Sequence, residues 1–500
     1  MKLKKIFTLA MATVITLGAF SGCDAGSKKS GQITDETIEE AMKTPYEINW
    51  YFYASNQDQN EIKNVESEIN KYIKDKINAT VKMNVLESSQ YSNQLTSMIQ
   101  AGEEFDMCFV SGWMLNYTEN AEIGAFFPLG DYMEEYMPKT YELSDKNAIE
   151  CAKVNGKLYA LPVIKENAES YGWIYRKDIA DKYNIDMSKI KSFEELEPYL
   201  LKIKANEPGI ENPIDWDGDS SPAGGILQQR PITSDCIGVK NDNDLKVVNL
   251  FETEERRNAM RLAHRFYKEG LVKEDILTAS SELNARMKAG KTFCHMAKLK
   301  PGKAQELYKD SEYEFAQTEI TQPRKGSRFG TGSMTAISAT SKNPARVMRF
   351  MELLNTDEYL NNLVIYGIEG KDYEKLDDGR VKVSPDAKYG LSGSQWMIAN
   401  VYLTYPTSKE EPNKNEILKK FDDDASLCSF TGFNFVTQPV QTELASCANV
   451  NSQYISQLML GAIDPDSVYD KYMEEMKKAG MDTVIAEVQK QLDEFMANKK

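Results

Sequence analysis

Histidine is nearly absent: the 500 residues hold two, His264 and His295. Zinc sites and Ser-His or Cys-His catalysis draw mostly on clustered histidines, and these two sit in separate patterns, one helical and one strand-like. Both read as packing or surface residues. Basic clusters are missing too. Lys and Arg number 60 against 76 Asp and Glu, a net charge of −16 that disfavours nucleic acid and anionic lipid as partners. The seven cysteines include no C-x-x-C pair. Cys108 lies in an apolar run and reads as a small buried hydrophobe, while Cys428 with Cys447 is the pair a secreted chain would bridge first. No phosphate-cradling G-x-x-x-x-G-K-[ST] loop is present. Asp215-x-Asp217-Gly218-Asp219 departs from the calcium-loop spacing, with its Gly at the fourth position and Ile226 at the twelfth, and reads as a turn-rich loop. Asp422-Asp423-Asp424 reads as a solvated run. No metal, no cofactor and no catalytic residue set is expected.

The amino terminus sets the compartment. Lys2, Lys4 and Lys5 precede an apolar stretch from Ile6 to Phe20, shorter than the ~20 residues that cross a bilayer and laid out as a secretory signal. Phe20-Ser21-Gly22-Cys23 follows and resembles the lipobox of bacterial lipoproteins, with Cys23 as the lipidated residue. No later run is apolar enough to span a membrane. The expectation is a signal over residues 1–22, a polar tether over 23–44 and a soluble body held at the extracytoplasmic face by its lipid alone.

The body opens on alternating periods. Ile48 to Tyr53 is β-rich, and Asp58 to Lys76 carries Ile62, Val65, Ile69 and Ile73 at helical spacing. A strand at Val81 to Leu86, a helix at Tyr91 to Ala101 and an apolar strand at Phe105 to Val110 complete a β-α-β-α-β order. That order predicts a doubly wound α/β lobe, with ligand beyond the carboxyl ends of its strands, at loops 54–57 and 111–117. A second lobe begins near Pro162, with a strand at Tyr171 to Tyr175. The Gly/Pro/Asp-rich stretch Glu207 to Pro231 is long for a compact domain and reads as a functional or poorly ordered loop. Gly330 to Thr340 reads as a strand returning to the first lobe, and Asn343-Pro344 as the start of a helix. Tyr469, Tyr472 and Met476 share one face of a late helix. A chain of this length is expected to divide into two bodies.

Several stretches resemble the extracellular solute-binding proteins of family 1, the carbohydrate receptors of ABC importers. They are Asn155-Gly156-Lys157-Leu158-Tyr159-Ala160-Leu161-Pro162, Phe105-Asp106-Met107, Tyr175-Arg176-Lys177-Asp178 and Ser341-Lys342-Asn343-Pro344. Tyr366-Gly367-Ile368-Glu369-Gly370-Lys371-Asp372-Tyr373, Trp396-Met397-Ile398-Ala399-Asn400 and the tail around Lys478 to Leu492 are similar to the lipoprotein subgroup with an LplA-like C-terminal domain. The resemblance implies the two-lobed, type II periplasmic-binding-protein fold, each lobe a doubly wound sheet flanked by helices, with ligand in the cleft between them. The expected division is 45–162 plus 333–390 for the N-terminal lobe and 163–332 plus 391–500 for the C-terminal lobe. It also implies a monomer, a carbohydrate ligand and permease subunits as partners, and hinge closure without catalysis.

A sugar offers apolar C–H faces and a rim of hydroxyls, so its site needs flat aromatic platforms and short polar groups. The candidates are Tyr53 and Asn56 after the first strand, Trp113 and Tyr117 after the third, and Trp173, Trp216 and Trp396 in or beside the second lobe. Glu166, Arg230 and Ser333 are the polar candidates, and Arg230 would suit an acidic sugar. A peptide or other polar solute on the same fold, or a secreted glycoside hydrolase with two carboxylates across the site, are the competing readings.

Overall fold

A computed structural model describes residues 43–499 except 56, 234–236, 279–281 and 309–310. Cys23 and the leader lie outside the described residues. The first strand, Tyr46–Tyr53, pairs in parallel with Ala79–Leu86 on one side and Met107–Val110 on the other. Helices Gln59–Ile77 and Ser88–Ala101 connect them, burying Ile62, Val65, Ile69 and Ile73 as the spacing requires. The returning strand Met334–Ile337 then adds antiparallel to Met107–Val110, and Ala160–Pro162 adds antiparallel to it, closing a five-stranded sheet. Asp106 locks this sheet from within. It is 3% exposed and accepts from the Asn49 amide at 2.8 Å, the Tyr46 hydroxyl at 2.6 Å and the Ser341 hydroxyl at 2.6 Å. The Phe-Asp and Ser-Lys-Asn-Pro motifs thus meet at one carboxylate. Asn343 caps the following helix through the Arg346 amide.

The second body is built on the strand Ser170–Arg176, flanked on both sides by antiparallel partners, Cys294–Leu299 and Phe315–Glu319. Its sheet is therefore antiparallel, where a doubly wound one was expected. Cys294–Leu299 arrives after a long excursion, and Phe315–Glu319 follows it across the helix Lys303–Tyr308, so these two run parallel to each other on either side of a central strand of opposite direction. Gly172 sits where a Cβ would meet the Thr318 carbonyl at 2.1 Å, so only glycine fits the middle of this sheet. A second three-stranded antiparallel sheet, Arg230–Pro231, Ile237–Asn241 and Asp244–Asn249, packs under the C-terminal helices Gln441–Met459, Pro465–Lys478 and Met481–Asn498.

The hydrophobic cores separate along the same line. One runs through residues 48–161 and 334–399, and the others lie within 171–320 and 428–492. Leu391, Met397, Ile398 and Ala399 belong to the first core, so a division at residue 390 would cut through it. Cys428 and Cys447 are both buried, each packed in the C-terminal core, and no disulfide joins the two. Cys108 is a fully buried strand residue.

His295 is 3% exposed. Its Nδ1 donates to the Met296 carbonyl at 3.0 Å and its Nε2 lies 2.9 Å from the Tyr308 hydroxyl. Burial pushes its pKa down to about 4, against a weaker upward pull from the Met296 carbonyl and Asp217. The unfolded chain therefore binds this proton first, and stability present above pH ~6.5 is lost as pH falls toward 4. Between pH 6.5 and 5 the protein should lose about 2 kcal/mol more unfolding free energy than His295→Phe, measured by urea titration at each pH.

Candidate ligand-binding site

The chain crosses between the bodies twice in neighbouring strands. Pro162 and Met334 pair at the edge of the first sheet, and the Val163 amide donates to the Ser333 carbonyl at 3.0 Å. On the far side, Glu169 and Arg324 exchange two backbone hydrogen bonds, both at 3.0 Å. Residues 163–168 and 325–333 are thus held together at both ends. A third crossing backs them. The helix Lys414–Asp423 places Asp422 under the hinge, where its Oδ1 accepts from the Asn167 and Ala168 amides at 2.6 and 2.8 Å. Its Oδ2 pairs with Lys325 at 2.8 Å, and Lys325 also meets Asp145 at 3.0 Å. Asp422 is 7% exposed, so the acidic run is not wholly solvated; Asp423 and Asp424 do face outward, paired with Lys419 and Lys420. The sequence held no sign of this role, because it depends on partners 97 to 255 positions away along the chain.

These segments floor a cleft of about 680 Å³. Lys165, Glu166 and Asn167 line it from one crossing, and Arg324, Arg328 and Phe329 from the other. Gln229 and Arg230 come from the end of the long Glu207–Pro231 stretch, which is folded against the second body and acts as a wall. Lys298, Lys300 and Glu306 supply the opposite side, and Trp396 the side of the first core. A further cavity of about 500 Å³ shares Glu169, Gln229, Lys298 and Arg324, so the groove continues past the hinge. Pockets for small ligands span roughly 300–1,000 Å³, and this one reaches the upper part of that range.

Trp113 follows the strand Met107–Val110 and is 58% exposed. Its loop is shaped by Ser111, whose hydroxyl accepts from the Trp113 and Met114 amides at 3.2 and 2.8 Å. The indole N–H donates to the Gly332 carbonyl at 2.9 Å, and the Gly112 amide to Thr331 at 2.9 Å. Trp113 and Trp396 lie 6.1 Å apart between centroids at 32°, with Tyr53 and Phe109 edge-on or tilted behind Trp113. Together they form an aromatic platform at the cleft's edge. The Gln395 Oε1 beside it, the Glu166 Oε2 and the Arg328 Nε are buried without a protein partner.

Other candidates fall elsewhere. Tyr117 is fully buried and donates to the Ala152 carbonyl at 2.6 Å. Trp173 and Trp216 are also fully buried, their N–H groups spent on the Ile190 and Leu460 carbonyls at 3.0 and 3.4 Å. All three are core residues: the same flat apolar ring that suits a sugar also suits a core, and each found a carbonyl for its polar tip. Ser333 holds the hinge through its backbone while its side chain is 3% exposed and does not line the cleft. Asn56 lies outside the described residues. Arg230 and Glu166 do line the cleft, but Arg230 is bound by Asp242 at 2.5 Å and Glu166 by Lys300 at 2.8 Å. Asp215 is neutralised by Lys273 and Arg286 at 3.0 and 3.2 Å.

Two carboxylates, Glu166 and Glu306, thus share one ammonium, at 2.8 and 2.9 Å from Lys300. Burial alone would raise the Glu306 pKa, but Lys300 and Lys303 hold it at about 2. A glycosidase acid needs its pKa raised, and Glu306 is tuned the opposite way. Lys165 is shifted down by desolvation, Arg324 by desolvation and the neighbouring Arg230, and Arg328 by desolvation.

Three of the five tryptophans, Trp50, Trp173 and Trp216, are at most 2% exposed. Acrylamide should therefore quench mainly Trp113, and Trp113→Phe should remove most of the accessible emission while Trp216→Phe leaves it in place.

Family models match the chain in two stretches, "Bacterial extracellular solute-binding protein" over residues 59–269 and "Domain of unknown function (DUF3502)" over 429–497. A carbohydrate ABC transporter substrate-binding protein of Streptococcus pneumoniae serotype 4 is 28% identical over 515 aligned positions, covering 100% of both chains. Lipoprotein LipO of Bacillus subtilis is 22% identical over 82% of this chain and 86% of its own. Among solved structures, the N-glycan transport solute binding protein NgtS of S. pneumoniae superposes with a TM-score of 0.80, at 26% identity over 91% of this chain and 100% of its own. The same protein in complex with Man1GlcNAc and Man5GlcNAc gives 0.71 and 0.70. In its fold, its hinged cleft and these matches, the chain is similar to the bacterial extracellular solute-binding proteins.

Proposed function

We propose that this protein is the cell-surface capture component of an ABC importer, that its ligand is an oligosaccharide, and that it delivers the ligand unaltered to the permease. The observation that carries this reading is the Trp113–Trp396 platform at the edge of a cleft floored by the paired crossing segments. Stacked aromatic rings take the C–H face of a sugar, and the polar floor offers donors and acceptors to its hydroxyls. The groove continues beyond the hinge, which gives room for several sugar units. The relatives support the class. One is a carbohydrate ABC transporter substrate-binding protein, and NgtS has been solved with two mannose-containing glycans.

Membrane attachment through a lipid on Cys23 belongs to the same reading. It is supported by the lipobox-like run ending at Cys23 and by likeness to a lipoprotein. Among the described residues no helix is long and apolar enough to cross a membrane. We take the receptor to work as a monomer.

Calorimetric titration of the purified protein against a glycan panel tests the ligand class. Trp113→Ala or Trp396→Ala should weaken the best ligand by about 1–3 kcal/mol, the cost of losing a comparable base stack. Unchanged affinity in both variants removes the platform from the site, and shortened glycans after incubation would replace capture with hydrolysis. Metabolic labelling with an alkynyl fatty acid should tag the wild-type protein and leave Cys23→Ser untagged.

A further inference from the structure

The whole chain carries a net charge of −16, yet its cleft is lined by seven cationic side chains against three carboxylates. Four of the cations are already matched. Arg230 meets Asp242 at 2.5 Å, Lys298 meets Asp219 at 2.9 Å, and Lys300 and Lys303 meet Glu306 at 2.9 and 2.8 Å. The other three, Lys165, Arg324 and Arg328, make no ion pair among the described residues. The Lys165 ammonium has only the Trp396 ring, 5.9 Å from its centroid. Arg324, 8% exposed, donates one N–H to the Gln228 carbonyl at 2.6 Å. Arg328 donates one to the Thr118 hydroxyl at 3.0 Å, and its Nε has no partner.

Neighbouring carboxylates relieve them only in part: Glu166 and Asp422 attract Lys165, and Glu169 and Asp242 attract Arg324, but burial outweighs that attraction and most of these carboxylates are already shared with other cations. Asp145 and Asp422 are held by Lys325, Glu166 by Lys300, and Asp219 by Lys298. Cations drawn out of water without full counter-charge raise the free energy of the empty protein. A neutral sugar would take hydrogen bonds from them but leave that charge unmatched. A carboxylate or sulfate would match it, and the planar guanidinium fork binds such groups through two parallel hydrogen bonds. All three cations lie on, or at the end of, the two crossing segments, so an anion among them would sit at the hinge.

We propose that the captured glycan is acidic, carrying a sugar carboxylate or a sulfate ester that is received among Lys165, Arg324 and Arg328. This rests on the carbohydrate reading of the cleft and narrows it to one chemical class.

The test is calorimetry on the purified protein with glycans matched except for charge. The pairs are tetragalacturonate against its methyl ester, 3′-sialyllactose against lactose, and a chondroitin sulfate tetrasaccharide against its unsulfated form. The first two pairs report on a carboxylate, and the third compares forms that differ only in sulfate. In at least one pair the more anionic member should bind about tenfold tighter, a preference that shrinks as salt is raised. Arg328→Gln and, separately, Lys165→Met should narrow that gap to about threefold or less, because each variant weakens the more anionic member several-fold more than the less anionic one. The His295 pH profile and thermal melting of each variant separate lost recognition from lost folding. Equal or tighter binding of the less anionic member in every pair that binds overturns the charge proposal and leaves the carbohydrate reading standing. An unchanged gap in both variants also overturns it. Failure of every glycan, charged and neutral, overturns both.

Discussion

The molecule depends on the pairing of two crossing segments that are fastened at both ends. Pro162 with Met334 closes one end and Glu169 with Arg324 the other. A backbone held in this way bends between its fastenings without separating, because the hydrogen bonds at each end are costly to leave unmade. The residues between them serve as hinge and as cleft floor at once. Asp422 stiffens this floor from below by taking two of its backbone amides and the Lys325 ammonium. A buried carboxylate with three donors is well compensated, whereas losing any one of them would leave a desolvated oxygen unmatched.

Above this floor, each wall meets one physical requirement. The first body offers rings, Trp113 and Trp396, on the apolar side of the groove. The second offers ion-paired lysines and arginines whose geometry is set by their partners. Lys300 bridging two carboxylates is one such fixed donor. Fixed donors discriminate between stereoisomers, because a misplaced hydroxyl leaves a desolvated partner unmade at roughly 1–3 kcal/mol.

Much of the fold is legible in the sequence because it is written in short range. The period of Ile62, Val65, Ile69 and Ile73, and the apolar run at Met107–Val110, specify helix and parallel strand without reference to distant residues. Asn155 and Gly156, both at positive φ, form the tight turn that their types favour. The antiparallel second sheet was not legible, since strand direction there follows from where long connections return. The site divides in the same way. Trp113 could be placed because it follows a strand whose carboxyl end faces the cleft. Tyr117, Trp173 and Trp216 could not be told from platforms, because composition does not say which face of an element a ring occupies. Lys165, Arg324 and Arg328 went unnoticed because being unpaired is a property of the folded neighbourhood and has no local pattern. The burial of Asp422 within an acidic run has no local pattern for the same reason.

Trp113 is fastened across the gap between elements: its indole N–H and the Gly112 amide both bond to carbonyls of the returning segment, at Gly332 and Thr331. The ring therefore shares the attitude of that segment and does not pivot freely on its own loop. Any rotation of the bodies that tilts residues 331–332 tilts the ring with them. Affinity and closure are mechanically geared, so a lineage adapting to a new guest would find it easier to rebuild the outer walls than to alter the plane on which the guest rests.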